Sequence, residues 1–248
     1  MNFKIKQSRG IFLLPNLLTT AALFSGFYSI VAAMKGIFDV AAMAVFVAMV
    51  ADSLDGRVAR LTNTQSAFGA EYDSLADMVN FGLAPALIIY SWSLSSLGKL
   101  GWLIAFLYTA ATALRLARFN AQAQNEDKLY FQGLSCTAAA GVIAGMVWVG
   151  YKYEVTGIMI AIPVAALTLF IGALMVSTVR FNSFKQVDLK GRMPFWKAVA
   201  IVLLLAAVAM DPPQVLFAIF LSYAFSGPVL TLWTLRKMRR NKRSAEKK

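Results

Sequence analysis

Four aspartates, Asp52, Asp55, Asp73 and Asp77, fall within one stretch that reads DSLDGRVARLTNTQSAFGAEYDSLAD. The chain on either side is strongly apolar, where a carboxylate is costly unless it is paired, solvated in a cavity or bound to metal. The first pair is spaced i,i+3 and the second i,i+4, so on helices each pair projects from one face. Converging carboxylates offer only oxygen ligands, which suits hard divalent cations of the Mg²⁺ type. Arg57 and Arg60 lie between the pairs and add positive charge where phosphate oxygens would be held. Two cations about 3.5–4 Å apart, an arginine and a spare carboxylate as base are the equipment of phosphoryl transfer. The alternative is that the acids serve as structural ion pairs with Arg57 and Arg60. Four acids against two arginines would still leave excess negative charge.

Small residues accompany the acids. On a helix, Gly69, Asp73, Asp77 and Asn80 share one stripe, and Gly69 leaves room for a ligand above the carboxylates. On the preceding span Asp52, Asp55 and Ala59 form another stripe, with Gly56 removing bulk beside them. The connection between the two is short, so antiparallel neighbouring helices with facing acidic stripes are expected.

The positioning elements are membrane helices. Hydrophobic residues make up 59% of the 248, with a mean hydropathy of +0.64, against roughly 45–50% apolar in a soluble domain. The excess falls in runs of about 20 residues, the length that spans a bilayer. The fold class expected is all-α: a polytopic transmembrane helical bundle of about eight spans, a six-span catalytic core plus a C-terminal pair. The spans fall near 11–33, 37–56, 70–94, 98–118, 133–151, 156–178, 197–210 and 214–235. Pro85 is expected to kink the third. Residues 1–240 read as a single integral-membrane domain, and 241–248 as a basic, disordered cytoplasmic tail. No signal peptide is evident. A single cysteine excludes an internal disulfide, and the absence of histidine excludes histidine-based acid–base or metal chemistry.

The net charge of +12 does not point to nucleic acid, because the basic residues collect between apolar spans. Of 24 Lys and Arg, only Lys35, Lys99 and Lys152 fall on the side opposite the termini. By the positive-inside rule both termini and the acidic stretch face the cytoplasm, which in a bacterium means the inner membrane. Trp92, Trp102, Trp148, Trp196 and Trp233 fall near span ends and read as interfacial anchors. The basic tail reads as an orientation signal that also contacts anionic membrane lipids.

The spacing D-x2-D-G-x2-A-R-x8-G-x3-D-x3-D runs without a gap through Asp52, Asp55, Gly56, Ala59, Arg60, Gly69, Asp73 and Asp77. It resembles the signature of the CDP-alcohol phosphatidyltransferase family. The resemblance implies that Asp52, Asp55 and Asp73 bind two divalent cations, Mg²⁺ or Mn²⁺. Asp77 would help bind metal and deprotonate the acceptor alcohol. It further implies CDP-diacylglycerol contacts at Gly56, Arg60, Ser66 and Gly69, and at Asn16 and Thr19 in the first span, and it implies a homodimer. The stretches YDSLADMVNFGLAPAL, ALRLARFN and FQGLSCTAAAG are most similar to the bacterial branch whose acceptor is L-serine. Asn80 departs from the serine usual before Phe-Gly there, and Ser135 and Thr137 from prolines; both departures bear on the acceptor pocket. Asn80, Arg115 and Arg118 are candidate acceptor contacts, although arginines at a helix end also snorkel to lipid phosphates.

The expected reaction gives phosphatidylserine and CMP from CDP-diacylglycerol and L-serine. The alternative is the same chemistry with glycerol 3-phosphate, inositol phosphate or choline as acceptor. A remoter alternative, a cation transporter using intramembrane acids, would call for broken helices in repeated halves. No such repeat is visible.

Overall fold

A computed structural model describes residues 9–122, 131–181 and 195–245. The N-terminal lead, the acidic part of the loop after the fourth span and the basic loop at 182–194 lie outside the described residues. The helices are α1 (Arg9–Met34), α2 (Phe38–Leu61), α3 (Ala67–Asp77), α4 (Ala84–Trp92), α5 (Lys99–Gln122), α6 (Cys136–Lys152), α7 (Ala161–Val176), α8 (Phe195–Met210) and α9 (Pro212–Ala245). A π-helical turn, Met78–Leu83, joins α3 and α4 into one rod. Among the described residues the chain is therefore a bundle of eight helical rods, close to the spans read from hydropathy. A two-residue ladder, β1 (Phe131–Gln132) with β2 (Arg180–Phe181), ties the ends of two loops together. The backbone of α9 continues to Ala245, beyond residue 240 where the sequence reading starts the tail.

Among the described residues, five stretches are long and apolar enough to cross a bilayer: 14–34, 67–92, 99–121, 157–176 and 212–231. Helix α2 is long enough but carries Asp39 at one end and Asp52, Asp55, Arg57 and Arg60 at the other. It must be shielded, and α1 does this. The two pack along a seam of small buried residues that includes Ala22, Ala33, Ala41, Ala44 and Ala48, which lets the backbones approach closely. Two serines fasten the seam: Ser25 Oγ donates to the carbonyl of Ala44 at 2.8 Å and Ser29 Oγ to that of Ala41 at 2.7 Å.

Local chemistry ends α2 where the site needs it to end. Asn63 takes a left-handed conformation (φ 52°), which Asn tolerates better than most residues. The N–H of Thr64 then donates to the carbonyl of Ala59 and that of Asn63 to Arg60, the two bonds of a Schellman stop. Ser66 follows as N-cap of α3, its Oγ accepting from the N–H of Gly69 at 3.0 Å.

The irregularity expected at Pro85 lies one turn earlier, in the π-turn. Proline has no N–H to return to the carbonyl of Phe81. The fully buried Tyr108 of α5 supplies a replacement, its hydroxyl donating to that carbonyl at 3.1 Å. Tyr108→Phe should leave a buried acceptor unpaired and cost about 1–3 kcal/mol, read as a lower thermal unfolding midpoint in detergent. An unchanged midpoint would mean that the carbonyl finds another donor.

Candidate metal and substrate site

The two acidic stripes meet. Carboxylate oxygens of Asp52, Asp55 and Asp73 all lie within 4.8 Å of one another. Asp77 is one helical turn beyond Asp73 and within hydrogen-bonding reach of Asp52. One oxygen each of Asp73 and Asp77 is buried without a hydrogen-bond partner. Like charges this close repel strongly unless a proton or a cation sits among them. A donor set of carboxylate oxygens alone, with orphaned oxygens left over, fits hard divalent cations. The ion-pair alternative finds no support: Arg57 and Arg60 are exposed, and the salt bridge found among the described residues is Lys152–Asp211, far from this cluster.

The expectation that α2 and α3 pack as neighbours is only partly met. Their acids face each other, but the body of α3 rests on α1. Helix α1 is the common support of both acidic helices. Thr19 on α1 donates its hydroxyl to Asp55 Oδ2 at 2.7 Å while also lying 3.1 Å from the carbonyl of Pro15. Thr20, its neighbour, is hydrogen-bonded to the hydroxyl of Tyr72 on α3 at 2.9 Å. Adjacent threonines thus hold one helix each.

The other residues implicated by the resemblance are placed in different ways. A Cβ at Gly56 would meet nothing within 4 Å, so the space above it is open. A Cβ at Gly69 would come within 3.5 Å of Asn16 Oδ1 and 3.1 Å of Ser66 Oγ, which brings Asn16, Ser66 and Gly69 together at the start of α3. Ser66 has a structural task there as N-cap.

On the far side of Asp77, Asn80 is fully buried in the π-turn with both amide atoms unpartnered. It lies so close to Gly26 of α1 that a Cβ there would stand 2.0 Å from Asn80 Oδ1. Arg115 is 8% exposed, its Nη1 lies 3.5 Å from Cys136 Sγ, and its Nε has no partner. Arg118 is placed differently. Its Nη1 donates to the carbonyls of Val176 and Ser177 at 3.4 and 3.3 Å, capping the end of α7. Asn120 Nδ2 donates to Ser74 Oγ at 3.0 Å and so ties α5 to α3.

Residues 12–184 match the family model described as CDP-alcohol phosphatidyltransferase. The chain belongs to the CDP-alcohol phosphatidyltransferase family. It is 34% identical to the CDP-diacylglycerol–serine O-phosphatidyltransferase of Helicobacter pylori strain 26695, over 94% of this chain and 96% of that one. It is 39% identical to the protein of the same name in Mycobacterium bovis, over 58% of this chain and 52% of that one. It is 34% identical to the archaetidylserine synthase of Methanothermobacter thermautotrophicus, over 65% and 69%. All four signature aspartates lie inside the matched family region.

Tyr72, Thr20 and Tyr108 escaped the sequence reading, although they position the site. Their signal is weak, since a hydroxyl in an apolar span is a hydrogen-bonding group without a stated partner. Thr19 was placed in the nucleotide site by resemblance, and the structure gives its hydroxyl to Asp55. Outer partners that orient a carboxylate ligand are worth about 10–100-fold in metal affinity. Thr19→Val should therefore weaken Mn²⁺ binding by roughly tenfold, measured by electron paramagnetic resonance titration of purified protein, and Asp73→Asn should weaken it further. Wild-type affinity in Asp73→Asn would remove Asp73 from the ligand set.

Proposed function

We propose that the chain transfers the phosphatidyl group of CDP-diacylglycerol to the hydroxyl of L-serine, yielding phosphatidylserine and CMP. The observation that carries this reading is the convergence of Asp52, Asp55, Asp73 and Asp77 in a chain similar over nearly its whole length to a serine O-phosphatidyltransferase.

The lipid substrate enters sideways from the bilayer, its nucleotide in the open space over Gly56 and its diphosphate beside the carboxylates and Arg60. Asn16, Ser66 and Gly69 border the same space. Two divalent cations, Mg²⁺ or Mn²⁺, held by Asp52, Asp55 and Asp73 with Asp77 beside them, would neutralise the diphosphate and the developing charge on CMP. Asp77 is the base. It stands outside the group of three mutually close acids and keeps a buried, unpartnered oxygen, which suits a proton acceptor. The serine hydroxyl gives its proton to Asp77, and its oxygen bonds to the phosphorus bearing the diacylglycerol. The bond from that phosphorus to the bridging oxygen breaks, and CMP departs with the electron pair.

The acceptor pocket lies beyond Asp77, where Arg115 receives the serine carboxylate and the Asn80 amide a second polar group. Phosphorylated acceptors such as glycerol 3-phosphate or inositol phosphate carry more charge and call for more cations. Arg118 is engaged at the end of α7, which leaves Arg115 as the nearby buried cation and favours a single carboxylate. The distribution of basic residues supports an inner-membrane protein with termini and site cytoplasmic, and the family resemblance supports a homodimer of one membrane domain per chain.

Purified protein with Mg²⁺ or Mn²⁺, given CDP-diacylglycerol and an acceptor mixture, should form phosphatidylserine by mass spectrometry. Product from glycerol 3-phosphate with none from serine would overturn the acceptor. Asp77→Asn should abolish CMP release while leaving CDP-diacylglycerol binding largely intact. CMP release at the wild-type rate would exclude Asp77 as the base.

A further inference from the structure

The end of the bundle opposite the aspartate cluster contains a second pocket that the transferase reaction does not use. Its volume is about 700 Å³, and its lining includes Phe38, Asp39, Trp92, Trp148, Tyr151 and Glu154. Asp39 opens α2 and Asp52 stands near its other end, so rise along the helix separates them by about 20 Å. The pocket is built where the ends of α4 and α6, the start of α2 and the turn before α7 meet.

Its aromatic walls are fixed by packing. The expectation that Trp92 is a lipid-facing anchor fails: Trp92 is 7% exposed. Cβ atoms at Gly150 and Gly157 would fall 2.4 Å from its ring and its carbonyl respectively. The backbones of α6 and of the turn before α7 therefore clamp it. Ser93 Oγ donates to the carbonyl of Gly157 at 2.7 Å and holds that turn in place. Phe38 and Tyr151 meet edge to face at 6.1 Å, and Trp148 packs on Phe46 at 5.7 Å. Interfacial aromatic belts account for exposed rings such as Trp102. They do not account for Trp92, which is buried behind a pocket that carries carboxylates, with Phe38 and Trp148 half-buried and Tyr151 exposed at its rim.

The charge of the pocket is negative. Lys152, which also lines it, is taken by Asp211 at 2.6 Å. That partnership holds the Asp211 carboxyl below its ordinary value and the Lys152 ammonium above its own, so the pair stays ionised near neutrality. Asp39 and Glu154 are left without an ion-pair partner among the described residues. Asp39 Oδ1 is buried and accepts no hydrogen bond. An acid in the first turn of a helix is favoured by the helix dipole, but the dipole leaves that buried oxygen unsatisfied.

From this arrangement we infer that the pocket binds an organic ammonium group, cradled by Trp92, Trp148, Tyr151 and Phe38 and charge-paired by Asp39 and Glu154. Aromatic faces with a carboxylate are the recognition chemistry of alkylated and primary ammonium ions. A bare divalent metal would leave the aromatic walls without a role. The ammonium could belong to a free amine or to an amine-bearing lipid headgroup at the membrane surface.

The test uses the full-length protein and tryptophan fluorescence. In detergent, tetramethylammonium and ethanolamine should each produce a saturable change that equal ionic strengths of NaCl do not. Asp39→Asn should weaken both by roughly tenfold, about 1.4 kcal/mol. It should preserve CMP release, which shows that the variant is folded and that the pocket is separate from the transferase site. Asp55→Asn should retain the fluorescence response. In nanodiscs, a response when phosphatidylethanolamine replaces phosphatidylglycerol assigns the site to headgroups, and a response to soluble ethanolamine alone assigns it to free amines. Absence of any saturable response, or equal responses in wild type and Asp39→Asn, would overturn the proposal.

Discussion

Mutual repulsion among carboxylates is the constraint on which this structure turns. Asp52, Asp55 and Asp73 approach within 4.8 Å, and Asp77 reaches Asp52. Left alone in an apolar bundle, such groups would drive their helices apart or take up protons. The fold instead holds them together from behind. Helix α1 grips α2 through small residues and two serine-to-carbonyl bonds. It reaches Asp55 through Thr19 and α3 through Thr20 and Tyr72. The scaffold supplies the approach, and bound cations would supply the compensating charge.

The turn between α2 and α3 and the π-turn after α3 divide the remaining work. The first uses a left-handed Asn63 and the Ser66 cap to end one acidic helix and start the next within a few residues. The second widens the helix just past Asp77 and lodges Asn80 in the interior beside Gly26. π-Turns of this kind recur at functional sites. Here the turn gives Asp77 a neighbour with unpartnered polar atoms, and Tyr108 holds the carbonyl that Pro85 leaves free.

Much of this was legible in the sequence because each signal has one physical source. Hydropathy marked the rods, and the i,i+3 and i,i+4 spacing marked which acids share a face. Gly56 read as open space and is open. The limits are equally specific. Periodicity gave no notice that α1, rather than direct packing of α2 on α3, brings the acids together. Arg115 and Arg118 look alike at a helix end, yet one is buried beside Cys136 of α6 and the other caps α7, a difference made by which neighbouring helix each one meets. Trp92 sits at a span end as an anchor would, yet it packs inward where Gly150 and Gly157 leave room for it. Pro85 signalled an irregularity without saying that it would be a π-turn one turn earlier.

The bundle thus carries its acids at one end and an aromatic, carboxylate-lined pocket at the other, with α2 joining the two. The central claim is that the first of these ends is a metal centre. Anomalous diffraction from crystals grown with Mn²⁺ addresses it directly. Two anomalous peaks among the carboxylates of Asp52, Asp55, Asp73 and Asp77 are expected. A fully occupied crystal with no peak there, or with manganese only at surface carboxylates, would contradict it.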